Sequence, residues 1–480
     1  MKFINRIKEL KTLHDLYKKS EKESQFLVLY GQRRIGKTEL VKKFLEKKEG
    51  VYFLASKVSA RENLSMATEQ FAEFFGDKYL DRSKFINWRE FFDYLGDKLN
   101  ELKSSKPTVL VFDEFPFLAS IEPGISSLFQ YGWDEVLRHK NIFLILLGSS
   151  LSMMYKHVLA YSAPLYGRRT ASISLKQFGF KESEEFLLEF NNQKEADFER
   201  LFEFYAIAGG VPAYLKEFDL NLSLRVNLEK KILNSGTFLN VEPELILSEE
   251  FDKPQTYLTI LKAIGMNKTK SSEIATATNI AVTNLSFYLE NLLKLRMIER
   301  QVPVTEKNPE NTKKSSYRIK DPFLRFYFNF VFPNLSAIER GDYEKLFESR
   351  NQLIKSLVAQ KYEEESANFI LQSQNSKTKK LPIFNKLGRW WNKDTEIDLV
   401  GIDEVTNSIM FVETKWNNQK VDLRVLKDLQ KKSMEVKWGG VNRSEYFVLI
   451  SKSGFTKEVL EMAKIDQSLI LILRDEVIEG

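Results

Sequence analysis

The first third of the chain alternates short apolar runs with segments whose apolar residues recur every three or four positions. The apolar runs are Phe26–Tyr30, Val51–Ser56, Thr108–Phe112 and Ile142–Leu147. Short apolar runs bounded by polar residues predict buried strands, and the longer spacing predicts amphipathic helices. Residues 39–45 show the helical spacing directly after the first run. The pattern therefore predicts a strand, a loop and a helix in succession, with further strands downstream.

The loop between that first strand and helix carries a glycine-rich motif of the form G-x4-G-K-[ST]. Its glycines let backbone N–H groups approach phosphate oxygens, and the following helix adds the positive end of its dipole. Lys37 would be catalytic and reach the β- and γ-phosphates of ATP, and the Thr38 hydroxyl would bind Mg²⁺. The alternative is a glycine-rich turn without nucleotide. The predicted nucleotide-binding residues are Gly31, Gln32, Arg33, Arg34, Ile35, Gly36, Lys37, Thr38 and Glu39.

Two carboxylates follow the strand predicted over 108–112. Asp113 would complete the Mg²⁺ shell opposite Thr38, as a cofactor and metal ligand. Glu114 would orient or polarise the attacking water and is the predicted catalytic carboxylate. The alternative is a strand that merely ends in a polar turn.

The next predicted strand ends in Gly148-Ser149-Ser150. Ser149 or Ser150 would lie between the γ-phosphate and Glu114, and a helix N-cap is an equal alternative.

Farther along the chain, Gly210 and Pro212 belong to a Gly-Gly-x-Pro break in helical sequence. This break predicts a turn, which would pack against the base and ribose of a nucleotide.

Two consecutive arginines, Arg168 and Arg169, follow the core strands. Arg168 is the stronger candidate for stabilising charge on a transferring phosphoryl group, in cis or across a subunit interface. The alternative is that both arginines form surface ion pairs.

Composition narrows the function classes. The 480 residues include no cysteine, which excludes disulfides and thiolate zinc sites, and only three histidines, which disfavours a histidine-based site. The net charge of +6 is a mild excess that permits an anionic partner. No apolar run reaches the roughly 18 residues of a transmembrane helix, and residues 1–6 have no apolar signal core. We therefore expect a cytoplasmic protein with no membrane partner.

Residues 251–325 predict three helices followed by two strands. The helices are expected over 252–264, from Thr269 onward and over 280–295, and the strands over 297–304 and 316–319. Three helices and a two-stranded wing make a winged helix-turn-helix. A lid or protein-docking role is the alternative, because the third helix is not basic. The residues that would meet DNA are Thr283, Asn284, Ser286, Tyr288, Lys307, Lys313 and Lys314.

The last part of the chain, 346–480, predicts an α/β unit with carboxylates in its strands. Asp398 lies mid-strand between apolar residues, where an unpaired carboxylate is costly, and Glu413 and Lys415 share one face of the next strand. Asp398 and Glu413 would hold Mg²⁺ or Mn²⁺, and Lys415 would stabilise charge beside the attacking water. Glu363 on the preceding helix is a further candidate metal ligand. A ladder of surface ion pairs is the alternative, because the spacing alone is weak.

The motifs together resemble the archaeal-type ATPases of the STAND branch of AAA-like P-loop proteins. The resemblance implies an α/β fold, with a parallel αβα P-loop NTPase core and a helical lid. It also implies that the Gly-x-Pro turn contacts the nucleotide and that ATP hydrolysis is switch-like, often in a homo-oligomer. The residues that carry it are Gly31–Thr38, Asp113-Glu114, Gly148–Ser150, Leu165–Arg168 and Gly210–Pro212.

The D…E-x-K pattern of the last strands resembles the PD-(D/E)xK nucleases, although Ile397 stands at the proline position. A restriction-endonuclease-like α/β domain of this kind is also attached to the ATPase family named above. The division implied for this chain is an ATPase core (1–175), a helical lid (176–250), a winged helix (251–325), a linker helix (326–345) and a nuclease-like domain (346–480).

These motifs predict a switch ATPase that binds DNA and carries a metal-dependent nuclease-like domain. ATP hydrolysis would move the lid and the winged helix, and so control the access of DNA to Asp398, Glu413 and Lys415. The alternative is a STAND-type signalling ATPase whose C-terminal domains bind proteins. The expected cofactors are ATP and Mg²⁺, with Mg²⁺ or Mn²⁺ at the second site. The expected partner is DNA, and an oligomer would add further copies of the chain.

Overall fold

The computed structural model describes residues 3–77, 80–81, 83–102, 104–373, 383–440 and 442–478. They form two compact units, and the chain passes between the units several times. The first unit comprises residues 1–186, 210–216 and 244–254, and the second comprises 187–209, 217–243 and 255–480.

A five-stranded sheet forms the first unit, and all its strands are parallel. The strands are β1 (Gln25–Tyr30), β2 (Gly50–Leu54), β3 (Thr108–Asp113), β4 (Ile142–Gly148) and β5 (Ala171–Ser174). They pair in the order β2-β3-β4-β1-β5. Because the strands are parallel, the loops that leave β1, β3 and β4 open at one edge of the sheet, with the β4 loop in the middle.

Alternate residues of each strand face opposite sides of this sheet. Phe26 packs in one core with Phe91, and Leu27 packs in the other core with Leu40. The central strands β1, β3 and β4 are mostly apolar because both of their faces are buried. The expected parallel αβα core is therefore the fold of the first unit.

The second unit contains a mixed six-stranded sheet and a separate two-stranded hairpin. The hairpin strands are β6 (Ile298–Gln301) and β7 (Ser316–Ile319), and the sheet strands are β8 (Lys386–Trp391), β9 (Glu396–Asp403), β10 (Ser408–Lys415), β11 (Ser444–Ser451), β12 (Leu469–Leu473) and β13 (Glu476–Ile478). The sheet order is β13-β12-β11-β10-β9-β8. The central pairs β10–β11 and β11–β12 are parallel, and the outer pairs are antiparallel.

The helices in chain order are α1 (Ile7–Ser20), α2 (Lys37–Leu45), α3 (Ala60–Phe75), α4 (Trp88–Glu101), α5 (Phe115–Ile121), α6 (Ile125–Tyr131), α7 (Leu151–Met154), α8 (Phe180–Phe190), α9 (Phe198–Ala208), α10 (Pro212–Leu215), α11 (Leu224–Leu228), α12 (Phe238–Glu250), α13 (Pro254–Gly265), α14 (Ser271–Thr278), α15 (Val282–Lys294), α16 (Pro322–Phe326), α17 (Leu335–Glu339), α18 (Tyr343–Ser373), α19 (Leu423–Ser433) and α20 (Lys457–Ile465). Helices α8 and α12 cross from one unit to the other. Among the described residues, no helix combines the length and the hydropathy that a membrane span requires.

The structure differs from the expected elements in the hairpin and at the start of α14. The first hairpin strand ends at Gln301 instead of 304, because Val304 N donates to Arg389 O of β8 at 3.0 Å and so leaves the hairpin ladder. Helix α14 begins at Ser271, two residues after the expected Thr269, and no Ser or Thr side chain caps it. Instead, the Glu273 carboxylate accepts from the backbone N–H groups of Thr269 and Lys270, at 3.0 and 3.2 Å.

The two edge strands β5 and β13 have no counterpart in the expected pattern. Strand β5 reads Ala-Ser-Ile-Ser and is only partly buried, so it lacks the continuous apolar run of a central strand. Strand β13 is three residues long and also lies at a sheet edge. Short, partly exposed edge strands of this kind give little hydrophobic signal.

Candidate nucleotide and carboxylate sites

The glycine-rich loop between β1 and α2 combines an open position with a tightly packed one. Gly36 has a φ of 94°, and no atom lies within 4 Å of the position that a Cβ would occupy. At Gly31, by contrast, a Cβ would lie 2.6 Å from Leu175 O. Arg34 also has a positive φ, of 66°. The loop therefore packs at its start against Leu175, the residue after β5, and leaves open space before the first turn of α2.

Lys37 lies under this loop with a 5% exposed side chain. Its Nζ donates to Gly31 O at 2.9 Å and to Gln32 O at 3.0 Å. Burial lowers the pKa of Lys37 to about 8, against the opposing attraction of Glu114 and Asp113. A buried ammonium held only by carbonyls gains a stronger, charge-assisted partner when a phosphate oxygen approaches. The loop and Lys37 thus fit a phosphate group.

Thr38 and Asp113 are in direct contact at the edge of the sheet. Thr38 Oγ1 donates to Asp113 Oδ2 at 2.8 Å, and the Tyr52 hydroxyl donates to the same oxygen. Asp113 is 1% exposed, and its Oδ1 accepts from Glu114 N at 2.7 Å. Burial and the Asp113 charge raise the pKa of Tyr52. A hydroxyl and a carboxylate at this distance are hard oxygen donors that fit Mg²⁺.

Glu114, the residue before α5, has a φ of 54°, a left-handed conformation that is strained for a residue with a side chain. Its Oε2 accepts from Ser149 Oγ at 2.6 Å and from Ser149 N at 3.3 Å. This contact follows from the strand order, because β4 lies between the strands that carry the loop and the carboxylates. Ser150 Oγ caps α7 by accepting from Met153 N at 3.3 Å, which is the N-cap alternative, while a position of Ser149 beside the γ-phosphate stays a prediction.

The Gly-x-Pro turn is joined to the glycine-rich loop through one glutamine. Gln177 Nε2 donates to Gln32 Oε1 at 2.9 Å, and Gln177 Oε1 accepts from Gly210 N at 3.4 Å. A Cβ at Gly210 would lie 1.9 Å from Phe178 O, so only glycine fits there. Pro212 is the first residue of α10, where its missing N–H costs nothing.

The C-terminal end of α12 brings two glutamates to this site that the sequence did not single out. Glu249 forms an ion pair with Arg33 of the loop. Glu250 accepts from the backbone N–H groups of Leu151 and Ser152, each at 3.1 Å. Burial raises the pKa of Glu250, although these bonds oppose the shift. An acidic pair at a helix end is common, so no sequence signal marked it.

Arg6, in the segment that precedes α1, holds the glycine-rich loop in place through hydrogen bonds to the backbone. It is 5% exposed, and its Nη2 donates to Ile35 O at 3.2 Å and to Lys176 O at 2.8 Å. Its guanidinium also lies 4.3 Å from the centre of the Phe178 ring. Burial lowers the pKa of Arg6. Arg6 therefore holds the loop and the chain after β5 together.

Arg168 is held by an ion pair and by a hydrogen bond to the backbone. Its Nε donates to Asp134 at 3.1 Å, and its Nη1 donates to Pro164 O at 3.0 Å. The ion pair named as the alternative for this arginine is thus present. A role for Arg168 in phosphoryl transfer stays a prediction.

In the second unit, strands β9 and β10 bring the predicted carboxylates together. Lys415 Nζ donates to Glu413 at 2.7 Å, and Lys432 Nζ of α19 donates to the other oxygen of Glu413 at 3.0 Å. Asp398 Oδ2 accepts from Thr414 N at 2.8 Å. Burial, together with the charges of Glu363 and Glu413, raises the pKa of Asp398 to about 7. Lys432 was not foreseen, because it lies on a helix far along the chain.

Glu363, the third candidate metal ligand, is engaged elsewhere. Its carboxylate accepts from Arg389 Nη1 at 3.3 Å. Across the ranges that the structure describes, no group of three or more Asp, Glu or His side chains is arranged to hold a metal ion. The donor set that remains consists of the carboxylates of Asp398 and Glu413, which are hard ligands suited to Mg²⁺ or Mn²⁺.

Helices α13 to α15 and the hairpin β6–β7 carry the residues expected to meet DNA. Thr283, Asn284 and Ser286 are exposed on α15, and Tyr288 packs against Tyr257 with ring centres 5.2 Å apart. The hairpin lysines Lys307, Lys313 and Lys314 are exposed, and Lys314 pairs with Glu306 at 3.2 Å. The exposed face of α15 is polar and uncharged at these positions.

Comparison with known proteins connects this geometry to a family. Residues 3–218 match the model of an ATPase domain found predominantly in Archaea, and residues 327–432 match a family of archaeal and bacterial proteins of unknown function. The uncharacterized protein MJECL04 of Methanocaldococcus jannaschii is 35% identical over 461 residues, which cover 95% of this chain and 97% of that protein.

Two further likenesses are to an ATP-binding protein and to a solved ATPase structure. An uncharacterized ATP-binding protein of the same organism, MJ0423, is 49% identical over 47 residues, 10% of this chain and 76% of that protein. The solved structure of the Walker-type ATPase PABY2304 of Pyrococcus abyssi has a TM-score of 0.50 at 24% identity and covers 68% of this chain and 96% of that one. The chain belongs to the family of MJECL04, and its first part is an archaeal-type P-loop ATPase domain that binds nucleotide.

Proposed function

We propose that the protein is a switch ATPase that hydrolyses ATP with Mg²⁺ at the edge of its parallel sheet. The observation that carries the proposal is the 2.8 Å contact between Thr38 and Asp113, beside the buried Lys37. Thr38 lies in the first turn of α2 and Asp113 is the last residue of β3, so the fold brings together two oxygen donors that are 75 positions apart in the chain. Residues 31–39 would cradle the phosphates, with Lys37 on the β- and γ-phosphate oxygens.

The other residues at this edge of the sheet would bind Mg²⁺, orient the attacking water and contact the nucleotide. Thr38 and Asp113 would hold Mg²⁺, which supplies charge neutralisation on the phosphates. Glu114 would orient the attacking water, and Ser149 would hold Glu114 through their 2.6 Å hydrogen bond. Gly210 and Pro212 would border the nucleotide, because Gln177 connects that turn to Gln32.

Calorimetry and a phosphate-release assay test this proposal on the full chain. We expect heat of binding for ATP with Mg²⁺ and slow release of inorganic phosphate. The absence of binding heat with folded protein would overturn the proposal.

Arg168 would act in cis or in trans. Phosphate release by Arg168→Ala, compared with the parent in the monomeric and in the oligomeric state, separates the two roles.

We further propose that the second unit binds DNA and carries a metal-dependent nuclease-like site. Helices α13 to α15 with the hairpin would form a winged helix whose lysines contact phosphates. Asp398 and Glu413 would hold Mg²⁺ or Mn²⁺, which would supply an activated water, and Lys415 would stabilise charge next to it. The convergence of Asp398, Glu413 and Lys415 on neighbouring strands supports this role. The signalling alternative keeps the ATPase and replaces DNA with a protein partner.

A plasmid-cleavage assay separates these two readings. We expect nicking or cleavage with Mg²⁺ or Mn²⁺ that is lost in Asp398→Ala and Lys415→Ala. Matched control variants are Lys420→Ala and Asp428→Ala, which remove one charge of each sign elsewhere in the same unit. Cleavage that survives both site variants, or no cleavage at any ATP concentration, would favour the signalling alternative.

A further inference from the structure

The second unit contains a cavity of about 300 Å³ that neither the nucleotide site nor the carboxylate pair accounts for. Three arginines from three different elements line it: Arg318 of β7, Arg325 of α16 and Arg389 of β8. The side chains of Asn267, Thr269, Asn329 and Gln360 add further polar groups, and the carboxylate of Glu363 also lines the cavity. Three guanidinium groups in one small cavity are unusual, because each repels the others.

The three arginines differ in how well their donors are satisfied. Arg325 is fully engaged, since its Nη1 lies 2.7 Å from Glu364 and its Nε donates to Ile319 O at 3.0 Å. Arg389 pairs with Glu363 at 3.3 Å and with Glu396. Its Nε, however, is buried and has no hydrogen-bond partner among the described residues. A buried N–H without an acceptor is costly, which points to an acceptor that the chain itself does not supply.

Arg318 supplies the second set of available donors. It is partly buried, and within the described part of the chain its side chain makes no hydrogen bond or ion pair. Burial lowers the pKa of Arg318, and the charges of Arg389 and Arg325 lower it further, while Glu396 and Glu364 oppose the shift. The nearby glutamates offset the positive charge of the cavity, but they leave the Arg389 Nε and the Arg318 guanidinium without a hydrogen-bonding oxygen.

The backbone of β8 contributes to this arrangement. The β8–β9 register shifts between Gly388 and Trp390, so Arg389 lies at a β-bulge. Bulges re-aim a side chain and are often found beside functional sites. Val304 N also donates to Arg389 O at 3.0 Å, which ties the bulge to the chain that leaves the hairpin.

We propose that this cavity binds a phosphate group between Arg318 and Arg389. A phosphate offers several acceptor oxygens, and the planar fork of a guanidinium matches two of them at once. The phosphate would come from the backbone of a nucleic-acid strand or from a free nucleotide, and both sources present the same chemistry. The proposal depends neither on ATP binding by the first unit nor on cleavage by Asp398 and Glu413.

The test measures inorganic phosphate binding by ³¹P line broadening on the full chain, in a Lys37→Ala background that removes the glycine-rich loop as a competing site. We expect weak binding, with a Kd of about 1 mM, because the glutamates offset much of the positive charge. Arg318→Ala should weaken it about tenfold, the cost of one charge-assisted donor pair. The matched control Lys320→Ala removes an exposed positive charge two residues away and should leave the Kd unchanged.

Arg318→Lys keeps the charge but loses the fork, and it guards against misfolding of the alanine variant. Its affinity should fall between those of the parent and Arg318→Ala. Competition by a single-stranded oligonucleotide without a terminal phosphate would identify the strand backbone as the source of the phosphate. Competition by AMP alone would identify a free nucleotide as the source. Equal phosphate binding in the Arg318 and Lys320 variants, or none in the Lys37→Ala background, would overturn the proposal.

Discussion

The nucleotide site of the first unit and the carboxylate site of the second handle buried charge in opposite ways. At the first site a buried cation, Lys37, is held by two neutral carbonyls and so lacks a full counter-charge from its direct partners. At the second, the carboxylate of Glu413 already has two ammonium partners, Lys415 and Lys432. The first site is therefore prepared for an anionic ligand, whereas the second is partly neutralised by the chain itself.

This difference predicts which of the two sites should bind its ligand more tightly. A site whose charge is left uncompensated gains most from its ligand, because the cost of burying that charge has already been met in the folded state. A site whose charges are already paired gains less, since the ligand must compete with the existing ion pairs. We therefore expect tight nucleotide binding in the first unit and weaker metal binding in the second.

The largest effect is expected for Lys37→Ala. Removing the ammonium should weaken ATP binding by about 2–5 kcal/mol, the range for truncating one partner of a buried charge pair. Calorimetry with ATP and Mg²⁺ measures the change. Lys43→Ala, on an exposed position of the same helix, is the matched control and should bind as the parent does. Unchanged affinity in Lys37→Ala would remove the central contrast between the two sites.

Glu114→Gln should separate binding from turnover. The amide keeps the size of the side chain and its contact with Ser149 but cannot accept a proton, so kcat should fall about 100-fold while ATP binding persists. Steady-state phosphate release and calorimetry on the same preparation provide both quantities. Ser149→Ala should reduce kcat less, because it loosens Glu114 without removing it. Turnover that persists in Glu114→Gln would assign water activation to another group.

Asp398→Asn should stabilise the metal-free protein. The pKa of Asp398 is raised to about 7 in the folded state, against about 4 when unfolded, so the folded state holds the proton more tightly. Stability from this group is fully present below about pH 4 and is lost as the pH rises from about 4 to about 7. The asparagine variant should therefore gain about 1–3 kcal/mol at pH 8 and less at pH 5.

Thermal unfolding at the two pH values checks this expectation. Mn²⁺ should raise the Tm of the parent at pH 8 and have little effect on Asp398→Asn. A variant that is less stable than the parent at pH 8 would show that Asp398 is compensated by the chain and is not poised for a cation.

The smallest effect is expected for Gln177→Ala. This change removes the bridge between Gln32 and Gly210 without touching the phosphate-binding groups. ATP affinity should fall by about 1 kcal/mol, the net contribution of a hydrogen bond, while kcat stays the same. Lys181→Ala, on the following helix, is a control. A loss of turnover instead of affinity would mean that the turn acts on catalysis.

The sequence by itself determined the parts of this protein that depend on local geometry. Residues 31–38 are contiguous, and the glycines at 31 and 36 are required by a close approach and by a positive φ that the local chain imposes. The apolar runs became the central strands of a parallel sheet because full burial on both faces needs continuous apolar sequence. The hairpin formed by β9 and β10 was also predictable, since its turn and both strands are adjacent in the chain.

Tertiary structure alone decided which distant groups meet. The position of β4 between β1 and β3 brings Ser149 to Glu114, and the end of α12 brings Glu249 to Arg33. Arg318 and Arg389 come to line one cavity from strands separated by some 70 positions. No local pattern encodes such meetings, because they depend on strand order, register and helix packing, and these are fixed only when the whole core is assembled.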